Sequence, residues 1–217
     1  MLEIPLFPLH TVLFPGMPLQ LHIFEERYKK MVAYCQRTET PFGVVLIRQG
    51  VEALGPLATP FNIGCTAQIV KLQPLEQGRF DLSAIGLERF RIQALKKDQP
   101  YWVGVIDEFP LRMDDIVGVI RAESRLRPWL ERYVRNLTLD ENIESAITNF
   151  PEDPISLAYL AAMVVQIPPM QKQTLLEMER CVDLLERMRP LYRREVALVE
   201  SIIRSQPVDL TQPFSKN

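Results

Sequence analysis

The sequence predicts an α+β chain, in which a bent antiparallel β barrel with one inserted helix is followed by a C-terminal α-helical bundle. Three observations carry that expectation. Apolar residues alternate with a period of two up to about residue 110 and recur with a period near 3.6 beyond it. Gly86 interrupts one alternating stretch, as a bulge or a sharp corner does. A bent sheet of short strands removes its exposed edges by closing on itself. The change of period near Pro110 to Asp115 divides the chain into a barrel domain, 1–112, a helical domain, 113–205, and a frayed tail, 206–217.

The chain opens on IPLFPLHTVLFPGMPLQLHIFEERY, which has no formally charged side chain from Ile4 to Phe24. That is long enough for a membrane span, but Pro5, Pro8, Pro15, Pro18 and Gly16 forbid a continuous helix. The stretch also lacks the basic start and small-residue cleavage site of a signal peptide. It reads as extended pieces joined at Phe14-Pro15-Gly16 and buried in the core. A helix follows, with Phe24, Tyr28, Met31, Val32 and Cys35 on one apolar stripe that plugs an end of the barrel. Glu25 and Glu26 lie in its first turn, where they complement the helix dipole.

Phe42 to Ile47 (FGVVLI) has the continuous apolar character of a strand buried on both faces. Phe61, Ile63, Cys65, Ala67 and Ile69 alternate with a mostly polar set, and Glu76-Gln77-Gly78 turns the chain. Arg79 to Ile85 returns with Phe80, Leu82 and Ala84 on one face, and Arg89–Leu95 and Tyr101–Glu108 supply two further strands. Phe80 and Phe90 are both expected in the barrel core.

In the second half, Leu126, Trp129, Leu130, Tyr133, Val134 and Leu137 form one helical face. Asp153-Pro154 reads as an N-cap followed by proline at the first helical position. The segment SLAYLAAMVVQI that follows is apolar nearly all round and belongs in the middle of a bundle, ending at Pro168-Pro169. KQTLLEM lies in another helix, and a last helix reaches about Ile203, kinked or broken at Pro190.

Hydrophobic residues make up 47% and charged residues 24% of the 217, with a formal net charge of -2. That balance is globular and carries no basic excess for nucleic acid. Three widely spaced cysteines, Cys35, Cys65 and Cys181, fit neither a disulfide framework nor a zinc site and point to the cytoplasm. No phosphate-binding glycine loop, GxSxG elbow, HExxH helix or Cys/His cluster is present. His10 and His22 are the only histidines, and their apolar flanks mark them as structural. No catalytic residue, cofactor, metal ligand or membrane helix is expected.

Together IPLFPL, the FPG turn, LHIFEERY, FGVVLI, IGCTAQIVK, GRFDLSAIGLERFRI, DPISLAYLAA and KQTLLEM resemble, in order, the amino-terminal substrate-binding domain of the Lon proteases, as in free-standing Lon-domain proteins. The resemblance covers Leu2 to about Arg204. It implies a PUA-like β barrel with a helical bundle, and a module that captures unfolded or tagged polypeptides. In full-length Lon the ATPase module and the Ser-Lys protease follow, and this chain is expected to end before either. Glu26 stands where the family often has proline, and Pro190 falls in what the family builds as a long helix.

The function expected is therefore non-enzymatic polypeptide or protein binding. RNA binding, which PUA-like barrels perform elsewhere, is the alternative that the acidic balance disfavours. The polar face of the first helix, Glu26, Arg27, Lys29 and Lys30, is the peptide-binding candidate, because its charges surround an anchored aromatic.

Overall fold

The computed structural model describes residues 2–137 and 150–205, so the expected tail, 206–217, lies outside the described residues. Six strands and five helices follow in the order β1 (Leu2–Leu9), β2 (Pro18–Ile23), α1 (Glu26–Thr38), β3 (Phe42–Gln49), β4 (Thr59–Pro74), β5 (Phe80–Lys96), β6 (Trp102–Glu108), α2 (Ile116–Leu137), α3 (Pro154–Val164), α4 (Pro169–Leu176) and α5 (Cys181–Ser205). The sheet order is β2-β5-β4-β3-β1-β6, and β5 also pairs with β6. Five strands thereby form a closed ring, with β2 attached outside it on β5.

The ring is not antiparallel throughout. β1 runs parallel to β3, because the chain between them passes through β2 and α1 and returns in the same direction. β1 also explains how a strand tolerates two prolines. Leu2–Pro5 pair only with β6, Phe7–Leu9 pair only with β3, and Leu6 pairs with both. Pro5 and Pro8 therefore each sit where the strand has one neighbour and one free edge, as a missing donor requires. Past β1, Gly16 adopts φ 79 and Met17 donates to the Phe14 carbonyl at 3.0 Å, closing the expected turn. Gln77 and Gly78, both with positive φ, join β4 to β5 in a tight hairpin.

Gly86 does not end its strand; β5 runs through it. Cys65 pairs with Arg89 and Ala67 with Gly86, so Leu87 and Glu88 together face Thr66. This bulge lets Thr66 stand in for the ladder: its Oγ1 donates to the Glu88 carbonyl (3.2 Å) and accepts from the Glu88 N–H (3.1 Å). A Cβ on Gly86 would lie 2.2 Å from the Phe14 carbonyl oxygen, so no larger residue fits there. The extra residue also moves the following side chains to the other face. Leu82 and Ala84 pack with Phe7, Phe42 and Val44 beneath α1, whereas Phe90 and Ile92 pack with Ile4, Leu6, Val45 and Ile106.

The second group fills the ring. A Cβ on Gly43, Gly64 or Gly104 would overlap Leu6 or Phe90, so these glycines make room for the two large side chains. Tyr28, Met31, Val32 and Cys35 of α1 belong to the first group, so α1 packs on an outer face and does not plug the ring. Phe24 lies before the helix and is 41% exposed, because the helix starts two residues later.

Asp153 caps α3 as expected, its carboxylate accepting from the Ser156 N–H at 2.8 Å. Leu157, Ala158, Ala161 and Ala162 of α3 are completely buried. The helix ends at Val164, before Pro168-Pro169, and those prolines start α4. On α2, Leu126, Leu130, Tyr133 and Val134 are buried, Trp129 is half-buried, and Leu137 at the end is exposed. Pro190 does not interrupt α5, and Pro128 does not interrupt α2. Both prolines are exposed, so water reaches the carbonyls they leave without a donor. Buried Leu185, Met188, Tyr192 and Val196 hold α5 in place on both sides of Pro190.

One apolar cluster crosses from strands to helices, joining Phe14, Leu46, Ile63, Phe109 and Leu111 to Leu126, Leu157, Leu184 and Tyr192. Two polar side chains tie the same junction. Arg89, 1% exposed, donates to the carbonyls of Leu176 and Met178, both at 2.6 Å. Gln173, also buried, donates to the Ile63 carbonyl at 3.0 Å.

Phe90→Ala should cost about 3–5 kcal/mol by chemical denaturation, because it empties the ring centre. Phe80 is only half-buried and packs at the border of the group beneath α1, so Phe80→Ala should cost distinctly less. Equal losses would contradict the face change at the bulge.

Burial pushes the Cys35 and Cys181 thiols up to about 11 and raises the Cys65 thiol as well. All three cysteines are free and buried. A thiol reagent near neutral pH should modify the native protein slowly and the denatured protein at once. Fast labelling of the native chain would mean that the core opens far more readily than its packing implies.

Candidate functional site

The polar face of α1 is partly closed on itself. Arg27 is held by a salt bridge to the Glu25 carboxylate at 3.0 Å and by hydrogen bonds to the carbonyls of Gly55 (3.1 Å) and Glu52 (3.4 Å). Its guanidinium also lies 4.7 Å from the centre of the Tyr28 ring, and its side chain is only 13% exposed. Tyr28 is buried and stacks on Phe7 at 4.0 Å. Arg27 thus clamps the loop after β3 onto the start of α1. Lys29 pairs with Glu26 at 2.8 Å, and this bond holds the Glu26 carboxyl below its usual range. Lys30 is exposed. Glu26 and Lys30 therefore remain open to a ligand, Lys29 is mostly covered, and Arg27 is built into the structure.

His10 and His22 both lie at the surface. His22 pairs with Asp81 at 2.8 Å, and its ring stacks beside the exposed Phe24. Among the described residues, no group of three or more His, Cys, Asp and Glu side chains could hold a metal ion. No helix among them is long and apolar enough to cross a membrane.

A second candidate was invisible in the sequence. A groove of about 450 Å³ opens where the strands meet α3. One wall is the Pro15-Gly16 turn with Leu87 and Glu88 of the bulge; the other is Ile155, Tyr159, Leu160 and Met163. Pro110, Leu111, Pro151 and Ser156 complete the lining. The bulge turns Leu87 outward, leaving it 40% exposed at the groove. Four separate segments contribute, each unremarkable in isolation, so no local motif could have announced it. The only sequence signals were Gly86 and the FPG turn, read for their backbone geometry alone.

Ring, helices and groove together define a mixed α+β module with an apolar recess between its strands and helices. Residues 3–193 match the ATP-dependent protease La (LON) substrate-binding domain, and the chain belongs to that family. It is 28% identical over 202 residues to a Lon protease of Anaeromyxobacter dehalogenans, covering 88% of this chain and 24% of that protein. It is 30% identical over 190 residues to Lon protease 2 of Myxococcus xanthus, covering 86% of this chain and 22% of that protein. The chain thus spans about a quarter of the length of these relatives.

Among solved structures, it resembles a Lon N-terminal domain protein from Xanthomonas campestris, with a TM-score of 0.61 and 27% identity over 87% of this chain and 97% of that one. The N-terminal domain of a Mycobacterium avium complex Lon protease shares the fold, with a TM-score of 0.66 at 16% identity over 88% of this chain and 98% of that one.

Arg27→Ala should lower stability by about 1–3 kcal/mol, because it leaves two loop carbonyls and the Glu25 carboxylate without their donor. Lys30→Glu should leave the denaturation midpoint nearly unchanged. If both variants melt like the parent, the Arg27 clamp does not hold in solution.

Proposed function

We propose that this chain is a non-enzymatic, ATP-independent module that binds unfolded or tagged polypeptide through the groove between its strands and α3. The observation that carries this reading is an open apolar recess, about 450 Å³ and walled by Leu87, Ile155, Leu160 and Met163, in a member of a substrate-binding family. A recess of that size accepts a few apolar side chains, which unfolded chains expose and folded proteins hide. In this reading residues 1–112 form a PUA-like barrel, residues 113–205 form a bundle, and the groove follows their junction. The open charges of α1, Glu26 and Lys30, steer a chain toward the surface, while Arg27 and Lys29 keep that helix in place. The work is cytoplasmic and requires no cofactor.

Fluorescence anisotropy with a labelled, permanently unfolded model protein tests the reading. Leu87→Asp and Met163→Asp should each weaken binding several-fold while the circular dichroism spectrum stays native. Lys30→Glu should weaken it less, and only at low salt. Purified protein should neither hydrolyse ATP nor cleave casein. Unchanged affinity in both groove variants would place recognition elsewhere, and turnover abolished by a point substitution in this chain would overturn the non-enzymatic reading.

A further inference from the structure

A second recess lies between α2 and α5, away from the groove. It encloses about 340 Å³ and is lined by Ala122, Arg125, Glu186, Arg189, Pro190 and Arg193. Arg125 comes from α2, and Arg189 and Arg193 stand one turn apart on α5. Several arginines of these two helices are neutralised: Arg127 pairs with Glu123, Arg132 with Glu200 and Arg194 with Glu195. The recess is different. None of its three guanidiniums forms an ion pair among the described residues, and Nε of Arg189 is buried with no hydrogen-bond partner. A buried charged donor without an acceptor is costly, and three cations converging on one recess repel one another.

We propose that this recess binds a phosphate-class oxyanion. Charge supports that choice: three guanidiniums against one carboxylate leave a formal +2, which a phosphate dianion neutralises. Geometry supports it too. Guanidiniums present planar forks that match phosphate oxygens in pairs, and forks from two helices reach more than one edge of a tetrahedral ion. The carboxylate of Glu186 selects within the class. Hydrogenphosphate carries one O–H, which needs an acceptor, and Glu186 supplies it; sulfate has no proton to offer and meets only repulsion there. The recess is too small for a nucleic acid strand, and acidic partners hold Arg127, Arg132 and Arg194 of the same two helices.

Isothermal titration with inorganic phosphate at fixed ionic strength, on the whole chain, tests the proposal. Saturable binding at one site is expected, and phosphate should raise the melting temperature relative to chloride. Arg189→Gln and Arg193→Gln should each weaken binding by about tenfold or more, whereas Arg187→Gln, exposed on α5 outside the recess, should not. Sulfate should bind more weakly than phosphate, and Glu186→Gln should narrow that gap. Absence of saturable phosphate binding with no shift in melting temperature would overturn the proposal. So would an equal loss in Arg187→Gln, or tight binding of a single-stranded oligonucleotide without binding of phosphate.

Discussion

A single buried cation organises the junction on which the groove depends. Arg89 leaves β5 with 1% of its surface exposed, and burial lowers its pKa against the weaker opposing effects of Tyr159 and Glu179. Such a charge survives burial only where oriented dipoles replace water. The last turn of α4 and the residues after it supply them: the carbonyls of Leu176 and Met178 point at the guanidinium, where the negative end of the helix dipole lies. The Phe109 ring, 4.7 Å away, adds a favourable π face. Rotating α4 away from β5 would strand both the cation and the carbonyls, so the helix position is fixed by electrostatics as well as by apolar packing. Gln173 repeats the tie to β4 from the middle of the same helix.

The bulge is what makes this arrangement possible. In an uninterrupted strand Arg89 would lie on the face opposite Leu82, Ala84 and Gly86, and Phe90 would share theirs. One extra residue reverses that. Arg89 then shares the face of Cys65, and Phe90 enters the ring beside Gly64. The same two residues that create the shift, Leu87 and Glu88, protrude toward α3 and become a groove wall. A structural correction in a strand and a surface feature of the candidate site are thus one event. Gly86 permits it, because any side chain there would collide with the Phe14 carbonyl.

Features set by local chemistry were legible in the sequence. The proline-broken entry, the FPG turn, the apolar run Phe42–Ile47, the Gln77-Gly78 hairpin and the Asp153 cap all follow from what neighbouring residues permit. Features set by distant partners were not. The parallel pairing of β1 with β3 depends on the path through β2 and α1. The burial of Arg89 depends on carbonyls more than eighty residues away in the chain. Pro190 illustrates the opposite error: a strong local penalty was overridden, because the buried stripe of α5 continues on both sides of it and its own face meets water. At the candidate site, the charges of α1 were visible but their pairing was not, and the identity of Arg27 alone does not reveal that Glu25, Glu52 and Gly55 claim it.

In the proposed reading, how the groove recognises a chain follows from which of its backbone groups remain available. Three of its lining residues, Pro15, Pro110 and Pro151, have no N–H to offer. The Gly16 N–H already donates to the Gly86 carbonyl, and both backbone groups of Glu88 are bonded to Thr66. A bound segment therefore finds few main-chain partners along this rim and cannot extend the sheet there, as a strand added to an open edge would. What the rim does offer is apolar surface on rigid elements, with α3 held by its cap and β5 by its bulge. In the proposed reading, recognition rests on side-chain burial, which is non-directional and tolerant of sequence. That suits a receptor whose ligands share exposed apolar residues and no common order of them.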